Sequence, residues 1–374
     1  MKLMEYQAKE IFREFKIPVP ESSLSQNPDE TVKAAEKIGF PCVLKSQVLQ
    51  GGRGKAGLIK IVKAKNEAAE TANYLFSAKH NVKKILVEKA IDIESEIYMA
   101  ITVDPFAGKA LLMGCAEGGM DIEETAVKTP EKIIKLKTDI SKNLNSYQIL
   151  DFLYTLGLTP EIIKKASQVV SGLYSCFKKY DAELVEINPL FITRQGEIVA
   201  GDGKLNIDDA SMFRQPAYEK TREYFSSDAE YEAGLEGIPY LQFDGDISLM
   251  CAGAGLTNAV YDLINYEGGT VANYLEFGGP NYKKAVKAME LCLKNANAKV
   301  ILIVTFGTIA RADVMAEGIR DAINLLKPKI PIVTCIRGTN ENEAHNILRS
   351  CGLEPLIDTE EAVKKAVSCC GRKK

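Results

Sequence analysis

Two stretches of this chain concentrate residues that can hold a polyphosphate. In the first, Lys45 closes the apolar run Pro41 to Leu44 and is followed by Gly51, Gly52, Arg53, Gly54, Lys55 and Gly57. Glycines let a backbone approach a ligand and turn its N–H groups toward it, and the three cations supply charge for an anion. The stretch reads as a loop closing over nucleotide phosphates. It is not the Walker pattern, because no Gly-Lys-Ser/Thr opens a helix, and a flexible basic hairpin would have the same composition. The second stretch pairs Val185-Glu186-Ile187-Asn188-Pro189-Leu190 with Val199-Ala200-Gly201-Asp202-Gly203-Lys204. Asn188 and Asp202 are hard oxygen donors of the kind Mg²⁺ takes in small number, filling its other positions with water and phosphate. Asn-Pro and Gly-Asp-Gly are also common turn sequences. Glu186 alternates with Asn188 and faces the same side, which suits a proton- or phosphate-transfer role or a salt bridge. Glu88 and Glu96, at the end of one strand and the start of the next, could hold ribose hydroxyls while the strand end meets a base. Taken alone, each reads more simply as a surface charge.

The elements that must position these groups follow from periodicity. Met4 to Phe15 predicts a helix, with Tyr6, Ile11, Phe12 and Phe15 apolar among charges. Asn27-Pro28-Asp29-Glu30 opens a second helix, ending near Ile38. Pro41 to Ser46 and Gly57 to Val62 read as strands entering and leaving the glycine loop, a flap hinged on a hairpin. Asn66 to Phe76 is helical. Lys84 to Glu88, Glu96 to Val103 and Lys109 to Gly114 are strands. Thr159 to Lys178 is a long helix, and Ala182 to Leu190 and Glu197 to Leu205 are adjacent strands. A polar stretch from Ala217 to Asp244 places a domain boundary near Leu235. Beyond it strands and helices alternate: Asp246 to Cys251, Thr257 to Tyr266, Val271 to Phe277, Asn281 to Lys294, Lys299 to Phe306, Arg311 to Leu326 and Pro331 to Ile336. Such alternation implies right-handed crossovers and a parallel, doubly wound sheet. Ligands bind such sheets at the carboxyl ends of the strands, here Gly253-Ala254-Gly255, Gly278-Gly279-Pro280 and Gly307-Thr308-Ile309.

Composition narrows the classes. With 374 residues, 46% hydrophobic and 26% charged, the chain is long enough for two or three globular domains. A net charge of −3 argues against nucleic-acid binding. No apolar run is long enough to span a membrane, and the N-terminus lacks a signal-like apolar segment. Nine scattered cysteines suit reduced thiols in the cytoplasm. The two histidines, His80 and His345, have no metal-ligand or triad partners at useful spacing, and His80 reads as a solvated residue.

Six segments stand in an order that resembles one family: Glu5-Tyr6-Gln7-Ala8-Lys9, Gly51 to Gly57, Ile85 to Glu88, Glu186 to Leu190, Asp202-Gly203-Lys204 and Phe213-Arg214-Gln215-Pro216. Together they resemble the β subunits of succinyl-CoA synthetase, the ADP/GDP-forming succinate–CoA ligase. The resemblance implies an N-terminal ATP-grasp fold (1–235) and a flavodoxin-like CoA-ligase domain with a parallel sheet (236–374). It implies that Lys45, Gly52, Arg53 and Gly54 contact nucleotide phosphates. It assigns Glu88, Ile91 and Glu96 to base and ribose, Asn188 and Asp202 to Mg²⁺, and Glu186 to orienting a phosphohistidine. ATP/ADP, or GTP/GDP, would be the nucleotide. In this family the phosphohistidine and most of the CoA site belong to an α subunit. Neither histidine here lies in a Gly-His-Ala-Gly-like segment, so the chain is expected to need that partner in an αβ or α₂β₂ assembly. By the same resemblance, the helix beginning near Ile309-Ala310-Arg311 would point its N–H groups at the phosphoryl anion.

The C-terminal half departs from the family where the acid should bind. Ala252-Gly253-Ala254-Gly255-Leu256 stands where the family shows Asn-Gly-Ala-Gly-Leu. Phe306-Gly307-Thr308-Ile309-Ala310 stands for Phe-Gly-Gly-Ile, so that Thr308 replaces a glycine at an expected close backbone approach, and Glu276-Phe277-Gly278-Gly279-Pro280-Asn281 for Asp-(Val/Ile)-Gly-Gly-Gly. These positions (Ala252, Thr308, Ile309 and Ala310) are the candidate substrate contacts. Succinate, in the tricarboxylic acid cycle, is the first expectation. A different carboxylate, such as malate, citrate or a substituted dicarboxylate, is the alternative. A non-catalytic nucleotide-binding regulatory subunit and an ATP-grasp ligase with an amine acceptor complete the range.

Overall fold

The first helix, α1 (Glu5–Glu14), buries charge as well as apolar surface: Glu5 and Lys9, one turn apart, lie on the same buried face as Ala8 and Phe12. Strand β1 (Ser22–Ser25) and helix α2 (Pro28–Ile38) follow. Asn27 caps α2 by accepting from the Glu30 N–H at 2.9 Å, and Pro28 fills a first-turn position where no N–H is needed. Strands β2 (Cys42–Ser46) and β3 (Ile59–Val62) pair antiparallel, Lys45 opposite Ile59, and carry the expected flap between them. Helix α3 (Lys65–Leu75) and strand β4 (Ile85–Lys89) complete a four-stranded sheet of order β1-β4-β2-β3. Its buried side gathers Leu44, Val62, Ile85 and Val87 against Ala35 and Leu75.

A six-stranded sheet follows. It comprises β5 (Ile93–Asp104), β6 (Lys109–Cys115), β7 (Ile134–Thr138), β8 (Ala182–Thr193), β9 (Ile198–Ala200) and β10 (Lys204–Ile207). The order is β10-β8-β5-β6-β7, with β9 also on β8. Helices α4 (Ile122–Lys128), α5 (Ser146–Thr155) and α6 (Pro160–Lys179) are threaded between. The strand expected from Glu197 to Leu205 is thus two strands with a break at Gly201–Gly203. Packing explains it: a Cβ on Gly201 would lie 2.4 Å from the Phe191 ring, and one on Gly203 would lie 2.8 Å from Phe12. Residues Met1 to Leu3 run beside β10, with Leu3 N–H donating to Leu205 O at 2.8 Å and Lys2 opposite Asn206.

The structure is a computed structural model and describes residues 1–80, 82–119, 122–278 and 284–371. It divides into two compact units, Met1–Glu219 and Lys220–Lys374. The second unit opens with α7 (Asp228–Leu235), whose Ala229 and Ala233 pack into that unit's core, so the helix preceding the boundary expected near Leu235 packs with the second unit. Then come β11 (Tyr240–Gln242), β12 (Ile247–Cys251), α8 (Ala254–Tyr266), β13 (Val271–Leu275), α9 (Ala285–Lys294) and β14 (Val300–Gly307). After them lie α10 (Ala312–Leu326), β15 (Ile332–Gly338), α11 (Glu341–Ser350) and α12 (Thr359–Cys369). The sheet order is β11-β13-β12-β14-β15; all pairs are parallel except the antiparallel edge β11–β13. One face packs against α9, α10 and α11, the other against α8 and α12, the doubly wound arrangement expected. The expected strand end Gly279-Pro280 and helix start at Asn281 lie outside the described residues. Among the described residues no helix is long and apolar enough to cross a membrane. His345 is buried with Nε2 3.0 Å from Ile336 O. His80, expected to be solvated, is half-buried edge-on to Tyr74, ring centroids 4.7 Å apart. A residue following Lys79 in a polar stretch gives no sign of that packing.

Candidate active site

The first unit brings Lys45, Arg53, Glu88 and Asp202 into one ion network and adds two residues from α1. Lys9 Nζ lies 2.8 Å from Glu5 Oε1 and 2.7 Å from Glu88 Oε1. Lys45 Nζ lies 2.9 Å from Glu5 Oε1 and 2.7 Å from Glu88 Oε2. Both lysines donate to Gly201 O, which the break between β9 and β10 turns toward them. Arg53 reaches from the glycine loop to Glu5 Oε2 at 2.6 Å and to Asp202 Oδ1 at 2.8 Å. Three cations thus meet three carboxylates, joining α1, both sheets and the loop. Charges this deeply enclosed persist only when paired. Burial pushes the Glu5 carboxyl upward, but Lys45, Lys9 and Arg53 outweigh it and hold it well below the usual carboxylate range. Burial opposes the charge of Lys45 too, and Glu5 and Glu88 overcome it to raise its pKa.

Glu88 is 1% exposed and so is not a surface charge; its carboxylate holds two ammonium groups. Ile91 follows in the link to β5 and is half-buried. Glu96 sits apart from this network, against Gly119, where an added Cβ would come within 2.4 Å of its Oε2. The Gly119 N–H donates to Asn188 Oδ1 at 2.8 Å, so this glycine segment runs past both Glu96 and Asn188. In the loop, Gly52 and Gly57 need their positive φ, and Leu58 N–H donates to Arg53 O at 2.9 Å. A Cβ on Gly51, Gly52 or Gly54 would meet nothing within 4 Å.

Asn188 and Asp202 are held side by side: Pro189 O accepts from Gly201 N–H at 2.9 Å and from Asp202 N–H at 3.4 Å. One amide oxygen and one carboxylate are few, hard donors, which fits Mg²⁺ bound chiefly through phosphate and water. Glu186 pairs in register with Lys204 across β8 and β10, with Lys204 Nζ 3.9 Å from Oε1. Tyr98 OH donates to Glu186 Oε2 at 3.4 Å. Burial pushes Glu186 above the usual carboxylate range against the pull of Lys204, and Asp202 adds to the rise. Lys2 points here as well. Its ammonium donates to Leu49 O at the root of the glycine loop, and its pKa is lowered by burial and by the neighbouring cations Lys204 and Arg53.

In the second unit the strand ends look different. Ala252 is half-buried, Gly253 takes φ 84° and Ala254 opens α8. A Cβ on Gly278 would lie 3.0 Å from the Ala252 Cβ. The close backbone approach expected at Thr308 is instead at Gly307, where an added Cβ would meet Ala310 O at 2.5 Å, and at Gly338, where it would meet Gly307 O. Thr308 itself is exposed, its carbonyl accepting from Thr339 Oγ1 at 3.2 Å. Ile309 is exposed and Ala310 half-buried, and α10 begins only at Ala312, with Arg311 as its cap.

An ATP-grasp domain family matches residues 2–192, and a CoA-ligase family matches residues 250–368. The chain is 60% identical over 367 residues to the ADP-forming sulfoacetate–CoA ligase subunit SauC of Bilophila wadsworthia, covering 98% of each chain. It is 41% identical over 371 residues to the β subunit of ADP-forming succinate–CoA ligase from Ignicoccus hospitalis, again covering 98% of each. The chain belongs to the β-subunit family of ADP-forming acid–CoA ligases. Among solved structures, ATP citrate lyase from Methanothrix soehngenii shares the fold, with a TM-score of 0.75 at 20% identity over 98% of this chain and 99% of that one.

This ligase subunit therefore has the architecture its sequence suggested. Two features of its site escaped sequence reasoning. Glu5 and Lys9 were legible only as part of a motif; the signal was a charged i, i+4 pair on the face that also carries Ala8 and Phe12. Lys2 gave no signal, because its position depends on Met1 to Leu3 pairing with β10.

Proposed function

We propose that this β subunit binds Mg–ATP at the Lys45–Arg53–Asp202 site and passes its terminal phosphoryl group to a histidine of an α subunit. We further propose that the acid finally joined to CoA is a sulfonated carboxylate of the sulfoacetate type. Phosphoryl transfer from ATP to the imidazole releases ADP. The acid's carboxylate then takes the group as an acyl phosphate, and the CoA thiol displaces phosphate to form the thioester. The acid's second anionic group does not react and serves only as an anchor.

The observation carrying the choice of acid is the 60% identity to SauC along with the changes at Ala252 and Thr308. A sulfonate is tetrahedral and carries three oxygens, whereas a carboxylate is planar with two. An alanine in place of an amide makes room at the end of β12, and the Thr308 hydroxyl offers a donor on an exposed turn. Succinate, the first expectation, has no such need.

The chain's own residues divide the remaining work. Lys45 and the loop N–H groups hold phosphate oxygens. Separation of Arg53 from Asp202 yields a guanidinium for phosphate and a carboxylate for the cation at once. Asn188 and Asp202 would hold Mg²⁺, which when bound neutralises phosphate charge. Glu186 accepts an imidazole N–H from the partner and orients the ring.

An acid panel with the chain reconstituted with its α subunit tests the reading. Sulfoacetate should exceed succinate by at least about tenfold in kcat/KM. Ala252→Asn combined with Thr308→Gly should move that ratio toward succinate. Succinate preferred by the unaltered enzyme would reject the acid assignment, and no acid-dependent thioester with any partner would reject the ligase role.

A further inference from the structure

The ion network of the first unit is neutral as built, and the site's surplus positive charge lies elsewhere. Glu5, Glu88 and Asp202 offset Lys9, Lys45 and Arg53, and Glu186 lies beside Lys204. Lys2 is the fifth cation of the cluster and, among the described residues, has no carboxylate within salt-bridge distance; its ammonium is held by Leu49 O. It is nonetheless firmly placed. The Met1 ammonium pairs with Asp209 at 2.6 Å, Ile207 N–H donates to Met1 O at 2.7 Å, and Leu3 N–H to Leu205 O. Register then puts Lys2 opposite Asn206, on the same face of β10 as Lys204, which itself lies opposite Glu186. Burial and the cations Lys204 and Arg53 disfavour this half-buried ammonium, and the carboxylates of Asp202 and Glu186 offset them only in part, which is the arrangement of an anion subsite.

We propose that Lys2 binds the terminal phosphoryl group of the nucleotide, at the seat between the glycine loop and Glu186 from which that group leaves. Lys2 fixes the group where the acceptor imidazole must meet it, while Lys45 and Arg53 hold the oxygens nearer the nucleoside. This assignment rests on the phosphoryl-exchange reading given above.

The test is calorimetric titration of the full chain with Mg–ATP and, separately, with Mg–ADP. Lys2→Met should weaken Mg–ATP binding about tenfold, the usual weight of one charge-assisted contact, and leave Mg–ADP within about twofold. Lys2→Arg should restore most of the lost ATP affinity, which a purely structural role at Leu49 would not predict. Equal losses for ATP and ADP, or none for either, overturn the proposal while leaving the nucleotide site in place. A native chain that binds neither nucleotide removes the phosphoryl-exchange reading and this proposal with it.

Discussion

The two units build their candidate sites in opposite ways. The first builds its site from side chains: six charged groups, most of them buried, that satisfy one another and the Gly201 carbonyl. The second builds its strand ends from backbone. Gly253 is exposed, Gly278 and Gly307 let main chain pack closely against Ala252 and Ala310, and Phe306 and Ile309 nearby are exposed at 48% and 100%. Elaborate pairing lets the first unit keep charge in place before any ligand arrives. The second leaves apolar side chains open beside its glycines. The first site should therefore be sensitive to any broken pair, and the second should be tolerant in stability but sensitive in selectivity.

The largest effect should follow from breaking the buried network. Glu88→Gln removes the carboxylate shared by Lys9 and Lys45, leaving one buried acid, Glu5, for both. The expected cost is about 3–5 kcal/mol, because an uncompensated buried charge is left behind. Urea unfolding of the full chain measures it, and a change below about 1 kcal/mol would mean that the network is solvated and the contrast between the units false. The same network has a pH signature. Glu5 has a folded pKa held below its unfolded value, so its contribution is complete above the ordinary glutamate value of about 4.3 and fades as pH falls through the folded one. Glu5→Gln should flatten that acid limb.

A smaller effect should come from the loop. Arg53 occupies Asp202 Oδ1 in this structure, so under the metal role proposed for Asp202 the guanidinium and the cation would compete for one carboxylate. Arg53→Ala should weaken Mg–ATP binding about tenfold through a lost phosphate contact. It should also tighten binding of Mn²⁺ alone, used as a spectroscopic substitute for Mg²⁺, because the competitor is gone. Opposite signs for nucleotide and metal are the point. A fall in both would make Arg53 a support for the metal site rather than its rival.

How much of this was legible in the sequence depends on whether a residue's role is local. The flap was, because Pro41 to Ser46 and Gly57 to Val62 are self-contained strand signals around a glycine run, and β2 and β3 lie there. Asn27 and Pro28 announced α2 by chemistry acting over four residues. Asn188 and Asp202 lie on adjoining segments, as their strand positions imply, but the break that turns Gly201 O toward Lys9 and Lys45 has no mark in the local sequence. It arises from the rings of Phe191 and Phe12, and Phe12 is far from it in sequence. The threonine at 308 was read as a close approach. The constraint falls on Gly307 and Gly338, which meet only because β14 and β15 are parallel neighbours. The short helices α11 and α12 and strand β7 were missed altogether. In β7, Ile134-Lys135-Leu136-Lys137-Thr138 alternates as a strand should, but five residues are a faint signal.

The smallest effect should be found where the second unit does use charge. Glu232 on α7 accepts from Lys287 at 2.8 Å and also meets Lys294, and these hydrogen bonds lower its carboxyl to about 2. Its folded pKa lies below its unfolded one, so any stabilisation is present above about pH 4.3 and lost as pH approaches 2. Unlike Glu5, this carboxylate is in water, its side chain 31% exposed, and solvent screens most of what the shift would suggest. Glu232→Gln should cost under about 1 kcal/mol near neutral pH, and the loss should vanish in 1 M salt, where the Debye length is about 3 Å. A salt-insensitive loss comparable to that of Glu88→Gln would show that the second unit, too, depends on a desolvated network. Its open strand ends would then reflect local geometry alone rather than a general preference for building with backbone.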